Sequence, residues 1–270
     1  MNYRHGYHAG NFADVVKHLA LVRVLLHLRR KETPFAVIDS HAGRGLYALD
    51  DATARATGEA ETGIARLTDL AGPEPLATYL ALARGAGENR YPGSPLLAAR
   101  LLRPQDRLIA IEKHPEEAAA LSAVLAPFRN AAIEQADGYQ RLAKLLPPPA
   151  RRGLILLDPP FEEPDEFARL ARALAGAIRR FATGIYLVWY PVKARSVAEA
   201  FCGEVLAAGP QRLLRLQIAV PAPEGKLSRA GLLVANPPYG FEADMQAALA
   251  LTVPRLDGEA TLDWLAGPDA

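Results

Sequence analysis

Cysteine is almost absent from this 270-residue chain, where Cys202 stands alone. A single thiol cannot form an internal disulfide, and it excludes a cysteine-ligated zinc site. No apolar run approaches the roughly 18 residues that a membrane-spanning helix requires. No secretory leader is visible either, because the opening MNYRHGYHAG is polar and charged. A soluble, cytoplasmic protein is therefore expected. Net charge is nearly absent as well, at +1, so bulk charge selects no class of partner. What the chain does have is hydrophobic content, 50% of its residues. That is enough for a sizeable core in one large domain, or in one domain that carries an insertion.

Charge is unevenly placed even though it sums to little. Residues 1–31 hold Arg4, Lys17, Arg23, Arg29, Arg30 and Lys31 against Asp14 alone, together with His5, His8, His18 and His27. A basic end of this kind is either a phosphate footprint or a solvated helix face with a positive last turn. His5 and His8 lack the further partners that a metal site needs, so no metal is expected.

The hydrophobic pattern orders the rest. Asn11 is placed to cap a helix over about 12–30, with Val16, Leu19, Val22 and Leu26 recurring on one face. FAVID (35–39), RLIAIE (107–112), AAIEQA (131–136), GLILLD (153–158) and GIYLVWY (184–190) read as buried strands. Helical stretches at 95–103, 115–126, 138–146 and 163–181 separate the later ones. Alternation of this kind implies a parallel, doubly wound α/β sheet. After a helix at about 194–208 come LLRLQIAV (213–220) and AGLLVAN (230–236), joined by a loop too short for a crossover helix. They are expected to form an antiparallel hairpin that completes a seven-stranded sheet. Five parallel strands followed by a hairpin resemble the class I S-adenosylmethionine-dependent methyltransferases, which are Rossmann-like.

Ligands of such sheets bind at the carboxyl ends of the strands. DSHAGRG (39–45) follows the first strand, and Gly43 and Gly45 allow a tight turn close to a ligand. An acid that binds ribose hydroxyls is expected at the end of the second strand, about 20 residues further on. The candidate, Glu112, lies 67 residues past Gly45. The excess implies an inserted helical subdomain over 46–93, a stretch without a convincing strand, between the two parts of the main domain (1–45 and 94–270). Ser94 and Pro95 read as the cap and first residue of the helix that follows, although a serine at that lip could also face the ligand. Asp137-Gly138, at the end of the third strand, is either a plain turn or the place where the adenine of a cofactor sits.

Two greasy runs end alike, in Asp158-Pro-Pro-Phe161 and Asn236-Pro-Pro-Tyr239. The ending resembles that of enzymes that methylate exocyclic amines. Asp158 closes a parallel strand and so opens on the ligand rim, whereas Asn236 closes a strand of the opposite direction and is expected to be structural. The Asp158 carboxylate and the Pro159 carbonyl can accept both N–H bonds of an adenine amine and free its lone pair. The prolines stiffen the turn and add no competing donors. Phe161 offers a face for base stacking, worth about 1–3 kcal/mol, which offsets part of the cost of unstacking the base.

Further blocks widen the likeness. YRHGYHAGNFADVVKH (3–18), IDSHAGRGLY, RYPGSP, ADGYQ, RRGLILLDPPF, RRFATGIYLVWYP and the late NPP occur in this order over nearly the whole chain. Together they resemble the bacterial 23S ribosomal RNA adenine-N6-methyltransferase J family. The resemblance implies a monomer that uses S-adenosyl-L-methionine to methylate one adenine of 23S ribosomal RNA, free or in an early assembly intermediate. It implies that Lys17, His18, His41, Ser94, Glu112, Asp137, Gly138 and Asp158 line the cofactor site. Asp158 would be the catalytic acceptor and Tyr3 a substrate-facing ring. Phe161 departs from the family's usual tyrosine; stacking survives, but a phenolic hydrogen bond does not. Two alternatives stay open: methylation of DNA adenine or protein glutamine, and an RNA-binding module with an inactive cofactor pocket.

Overall fold

The computed structural model describes residues 8–51 and 57–267; Tyr3, Arg4 and His5 lie outside the described residues. The first helix, α1 (Phe12–Arg29), starts where the Asn11 side chain accepts the amides of Ala13 and Asp14, as a capping residue should. Then come β1 (Ala36–Asp39), β2 (Leu46–Ala48), α2 (Glu59–Thr62), α3 (Leu76–Arg84), β3 (Arg90–Pro92) and α4 (Ser94–Leu101). The middle of the chain alternates as β4 (Arg107–Glu112), α5 (Pro115–Leu125), β5 (Ala131–Gln135), α6 (Gly138–Leu145), β6 (Gly153–Leu157), α7 (Glu166–Arg180) and β7 (Ile185–Pro191). It ends with α8 (Arg195–Ala207), β8 (Leu213–Ala219), β9 (Arg229–Ala235), α9 (Phe241–Thr252) and β10 (Glu259–Ala266).

The main sheet has the order β10-β8-β9-β7-β6-β1-β4-β5. The strands β5, β4, β1, β6 and β7 run parallel, while β9 lies antiparallel to both β7 and β8. The parallel sheet and the terminal hairpin agree with expectation. The number of strands does not: β10 adds an eighth, antiparallel to β8. Among the described residues only β8 pairs with it, and its side chains stay half exposed. Charge suits such an edge, and Arg215 of β8 bonds both oxygens of Asp263 on β10.

Two further expectations need correction. Residues 46–93 do contain strands, the short antiparallel pair β2–β3; three residues each are too few to show an alternating pattern. The first helix is not amphipathic, because nearly all of it is buried, including Lys17, His18 and Arg23. One side lies on the sheet. Over the rest pack α3, α4, α9 and residues Ile64, Leu67, Leu76 and Tyr79 of the stretch between β2 and β3, all in one continuous core. A helix enclosed on every side needs no polar face. Among the described residues, the basic side chains of this end are divided between two environments. Lys17 and Arg23 are buried in ion pairs, Arg23 with Asp244, whereas Arg29, Arg30 and Lys31 are exposed at the far end of α1.

At the rim where the parallel strands begin, the Asn236 side chain donates to the carbonyls of Ala182 (2.8 Å) and Gly184 (2.7 Å), just ahead of β7. Its φ of 54° lies in the left-handed region, which asparagine tolerates better than most residues. The second copy of the motif is thus a strand anchor, on the rim opposite Asp158. Asn236→Ala is expected to lower stability by about 2 kcal/mol in urea unfolding. Asn236→Gly should cost less, because it loses the hydrogen bonds but relieves the backbone. Equal losses would show that backbone conformation contributes nothing here.

Candidate active site

At the carboxyl ends of β1, β4, β5 and β6, Lys17, His18, His41, Gly43, Ser94, Glu112, Asp137, Gly138 and Asp158 line a single cleft. Local structure brings them there. Gly43 and Gly45 have φ values of 61° and 80°, which only glycine adopts without cost. A Cβ on Gly43 would lie 2.3 Å from the Tyr47 hydroxyl, and one on Gly138 would lie 2.0 Å from the Ser40 carbonyl oxygen. The turn after β1 thus presses on the turn after β5. Glu112 ties it to β4, because one carboxylate oxygen accepts the Gly43 amide (2.8 Å) and the other the His114 amide (2.7 Å).

The centre of the site is an ion cluster. Lys17 Nζ donates to Asp14 Oδ1 at 2.7 Å and to Asp158 Oδ2 at 2.5 Å. Burial alone would lower the pKa of this ammonium, but the two carboxylates outweigh it and raise it, so Lys17 stays charged. A helix from the start of the chain thereby holds the catalytic candidate 141 residues further on. Among the described residues, Asp158 has Lys17 as its hydrogen-bond partner, at Oδ2. Pro159 is buried beside it in the chain.

Two acids that the sequence left unassigned also belong to this centre: Asp14, and Asp39 at the end of β1. Asp39 is 1% exposed, and its Oδ2 accepts from Ser94 Oγ at 2.7 Å. Ser94 is therefore not the expected cap. It sits inside the first turn of α4, Gly93 holds the cap position, and no side chain caps this helix. Burial pushes the Asp39 carboxyl up to about 7; the nearby Asp158 charge adds to this, and the Ser94 hydrogen bond opposes it.

The end of the cleft beside β5 is aromatic and polar. His41 meets Tyr139 edge-on at 4.9 Å. Ser40 Oγ spends its single hydrogen on the Leu156 carbonyl, so His41 Nδ1, 2.8 Å away, must donate to Ser40 Oγ. Burial lowers the His41 pKa to about 4. The ring is therefore neutral near pH 7, with its Nε2 as an acceptor. Asp137 caps α6 through the Gln140 amide, and Lys113 and Arg169 lie 3.8 and 3.5 Å from its other oxygen.

Phe161 is placed differently. It adopts a φ of 51°, a conformation that costs a non-glycine residue about 1–2 kcal/mol. Its ring packs on Phe167 (4.7 Å) and Trp189 (5.7 Å). It lines a second, adjoining pocket with Pro164, Phe167, Pro191, Lys193 and Val197, and Glu163 borders both cavities. Pro160 and Glu162, rather than Phe161, face the first cleft.

The raised Asp39 pKa has a signed consequence. A carboxyl whose folded pKa lies above its unfolded value gives full stability below the unfolded pKa, and this is lost as pH rises towards the folded one. The window here runs from about 4 to about 7. Asp39→Asn keeps the acceptor for Ser94 without the charge. It is expected to be more stabilising at pH 8 than at pH 5, by a few kcal/mol, as read from urea unfolding at the two values. An advantage that shrinks as pH rises would contradict a buried, proton-hungry Asp39.

Comparison with known proteins agrees with this architecture. A family described as "Ribosomal RNA large subunit methyltransferase D, RlmJ" matches residues 32–266. Two curated proteins named ribosomal RNA large subunit methyltransferase J are each 38% identical. The one from Escherichia coli aligns over 98% of this chain and 99% of its own, and the one from Haemophilus influenzae over the same shares. The crystal structure of protein LPL1258 from Legionella pneumophila superposes with a TM-score of 0.88 at 32% identity, covering 97% of this chain and 99% of that one. With the fold, the cleft and the full-length match in agreement, the chain belongs to the RlmJ family of ribosomal RNA large subunit methyltransferases.

Proposed function

We propose that this protein is an S-adenosylmethionine-dependent methyltransferase that modifies the N6 amine of one adenine in 23S ribosomal RNA. The observation that carries the reading is Asp158, held by Lys17 at the mouth of the cleft that the glycine turn and Glu112 complete. Those residues suit the cofactor. The clashes that a Cβ would cause at Gly43 and Gly138 mark a tightly formed cradle. Glu112 suits ribose hydroxyls, and His41 and Tyr139 supply flat rings. Carboxylates outnumber cations around the cleft, with Glu112, Glu117, Asp137, Asp158, Glu162, Glu163 and Glu166 set against Lys17, Lys113 and Arg169, which favours a positively charged ligand. When bound, S-adenosylmethionine supplies an electrophilic methyl group.

The chain's own residues do the rest. Lys17 holds Asp158 Oδ2, and Oδ1 accepts one N–H of the target amine. The Pro159 carbonyl accepts the other, and the lone pair turns towards the methyl group. Asp158 then takes the proton that the nitrogen loses. The adenine stacks on Phe161 from the second pocket, whose open wall runs over Pro164 and Phe167 to Lys193; the ammonium there favours a phosphate. By resemblance to the family, Tyr3 is given the role of a substrate-facing ring. The reading extends to a cytoplasmic monomer acting on free RNA or an early assembly intermediate, while the base can still be unstacked. Within it, residues 1–45 and 94–270 form the methyltransferase unit, and 46–93 are its inserted unit, helical apart from the β2–β3 pair.

The test is transfer of labelled methyl groups to naked 23S RNA, duplex DNA and protein. RNA alone should be labelled. Mass mapping should then find one unmodified adenine in the 23S RNA of cells that lack the protein; labelling of protein or DNA instead would overturn the reading. Asp158→Ala is expected to reduce transfer by at least about a hundredfold and to affect cofactor binding much less. Retained activity would remove Asp158 from its role.

A further inference from the structure

Behind the cleft runs a chain of three buried side chains. Tyr79 of α3 and Tyr91 of β3 have their hydroxyls 2.9 Å apart, and the Tyr91 hydroxyl lies 2.7 Å from His18 Nδ1. All three residues are at most 1% exposed. Burial raises the pKa of both phenols, so each keeps one proton to place. Among the described residues, Tyr79 has its only hydrogen-bond partner in Tyr91.

That dead end sets the direction of the chain. If Tyr91 donated to Tyr79, the Tyr79 proton would be buried without an acceptor, and a buried unmet donor is costly. Tyr79 therefore donates to Tyr91, and Tyr91 donates to His18 Nδ1. Nδ1 must then carry a lone pair, and the proton of the neutral ring sits on Nε2. His18 lines the cleft, and in this tautomer its remaining ring nitrogen carries the proton. His41 offers the opposite: its Nδ1 proton is taken by Ser40, which leaves an acceptor.

We propose that Tyr91, with Tyr79 orienting its hydroxyl, is a positioning residue that locks His18 as the Nε2–H tautomer, a donor to an oxygen acceptor of bound S-adenosylmethionine. Through this chain the inserted segment, which supplies both tyrosines, takes part in holding the cofactor. The proposal rests on the functional reading above for the identity of the ligand, but the tautomer itself does not.

The experiment has two arms on the full-length protein. The first measures the imidazole 15N resonances of the histidine-labelled protein without ligand, with His18 assigned by loss of its signals in His18→Gln. An unprotonated Nδ1 and a protonated Nε2 are expected, and the preference should be lost in Tyr91→Phe, which keeps the ring stacked on His18 at 5.5 Å. The second arm titrates S-adenosylmethionine by calorimetry. Tyr91→Phe should bind roughly tenfold more weakly and raise the KM for the cofactor with kcat nearly unchanged; Tyr79→Phe should have a smaller effect. A wild-type His18 protonated on Nδ1 would overturn the proposal, as would unaltered binding by Tyr91→Phe. Wild-type protein that takes up no S-adenosylmethionine would instead defeat the functional reading, while the resonances still report on the lock.

Discussion

The site is organised around one buried ammonium. Lys17 stands between Asp14, three residues earlier on its own helix, and Asp158, at the end of a strand from the other half of the chain. Taking these charges out of water is expensive, and it is tolerated because each finds a partner at hydrogen-bond distance. Removing one partner from such a cluster leaves an uncompensated buried charge, at a cost of about 3–5 kcal/mol. The cluster therefore constrains function as well as stability. It fixes where α1 lies, it presents one face of the Asp158 carboxylate, and it makes the start of the chain a wall of the cleft.

The enclosure of α1 follows from the same constraint. A lysine so placed must be shielded, and the segment between β2 and β3 provides the cover through Ile64, Leu67 and Leu76, with Gly10 and Asn11 close against Gly63. Glu59 reinforces the joint by accepting from the Asn11 side chain and pairing with His8. The segment is thus more than a decoration on a Rossmann-like sheet, since it closes the core over the helix that carries Lys17 and His18. The turn after β6 is strained in its own way. The left-handed backbone at Phe161 turns the ring into the second pocket and away from the first, so that two adjoining cavities share the Asp158 turn between them.

Much of this was legible in the sequence, for physical reasons. Strands buried on both faces, such as GLILL of β6, write themselves as continuous apolar runs. The reversal at the terminal hairpin followed from a loop too short to cross the sheet. The cleft residues were found partly by position at strand ends and partly by resemblance, which supplied Lys17, His18 and His41. What escaped was whatever depends on partners far away in the chain. The all-round burial of α1 comes from residues that arrive much later in the chain, from Ile64 to Leu249. Ser94 looked like a cap because a serine before a proline commonly is one, whereas its real partner, Asp39, lies 55 residues back. Asp39 itself stood in plain view at the head of DSHAGRG, and its position at a strand end was the signal that could have found it. The edge strand β10 was hidden because its half-exposed side chains carry no strong pattern.

The most direct test of this arrangement is a crystal structure with S-adenosylhomocysteine bound. The account predicts the adenine beside Asp137 and Gly138, the ribose at Glu112, and the sulfur turned towards Asp158, with the Lys17 contact intact. A ligand bound at the opposite rim beside Asn236, or one that leaves Asp158 remote from the sulfur, would contradict it.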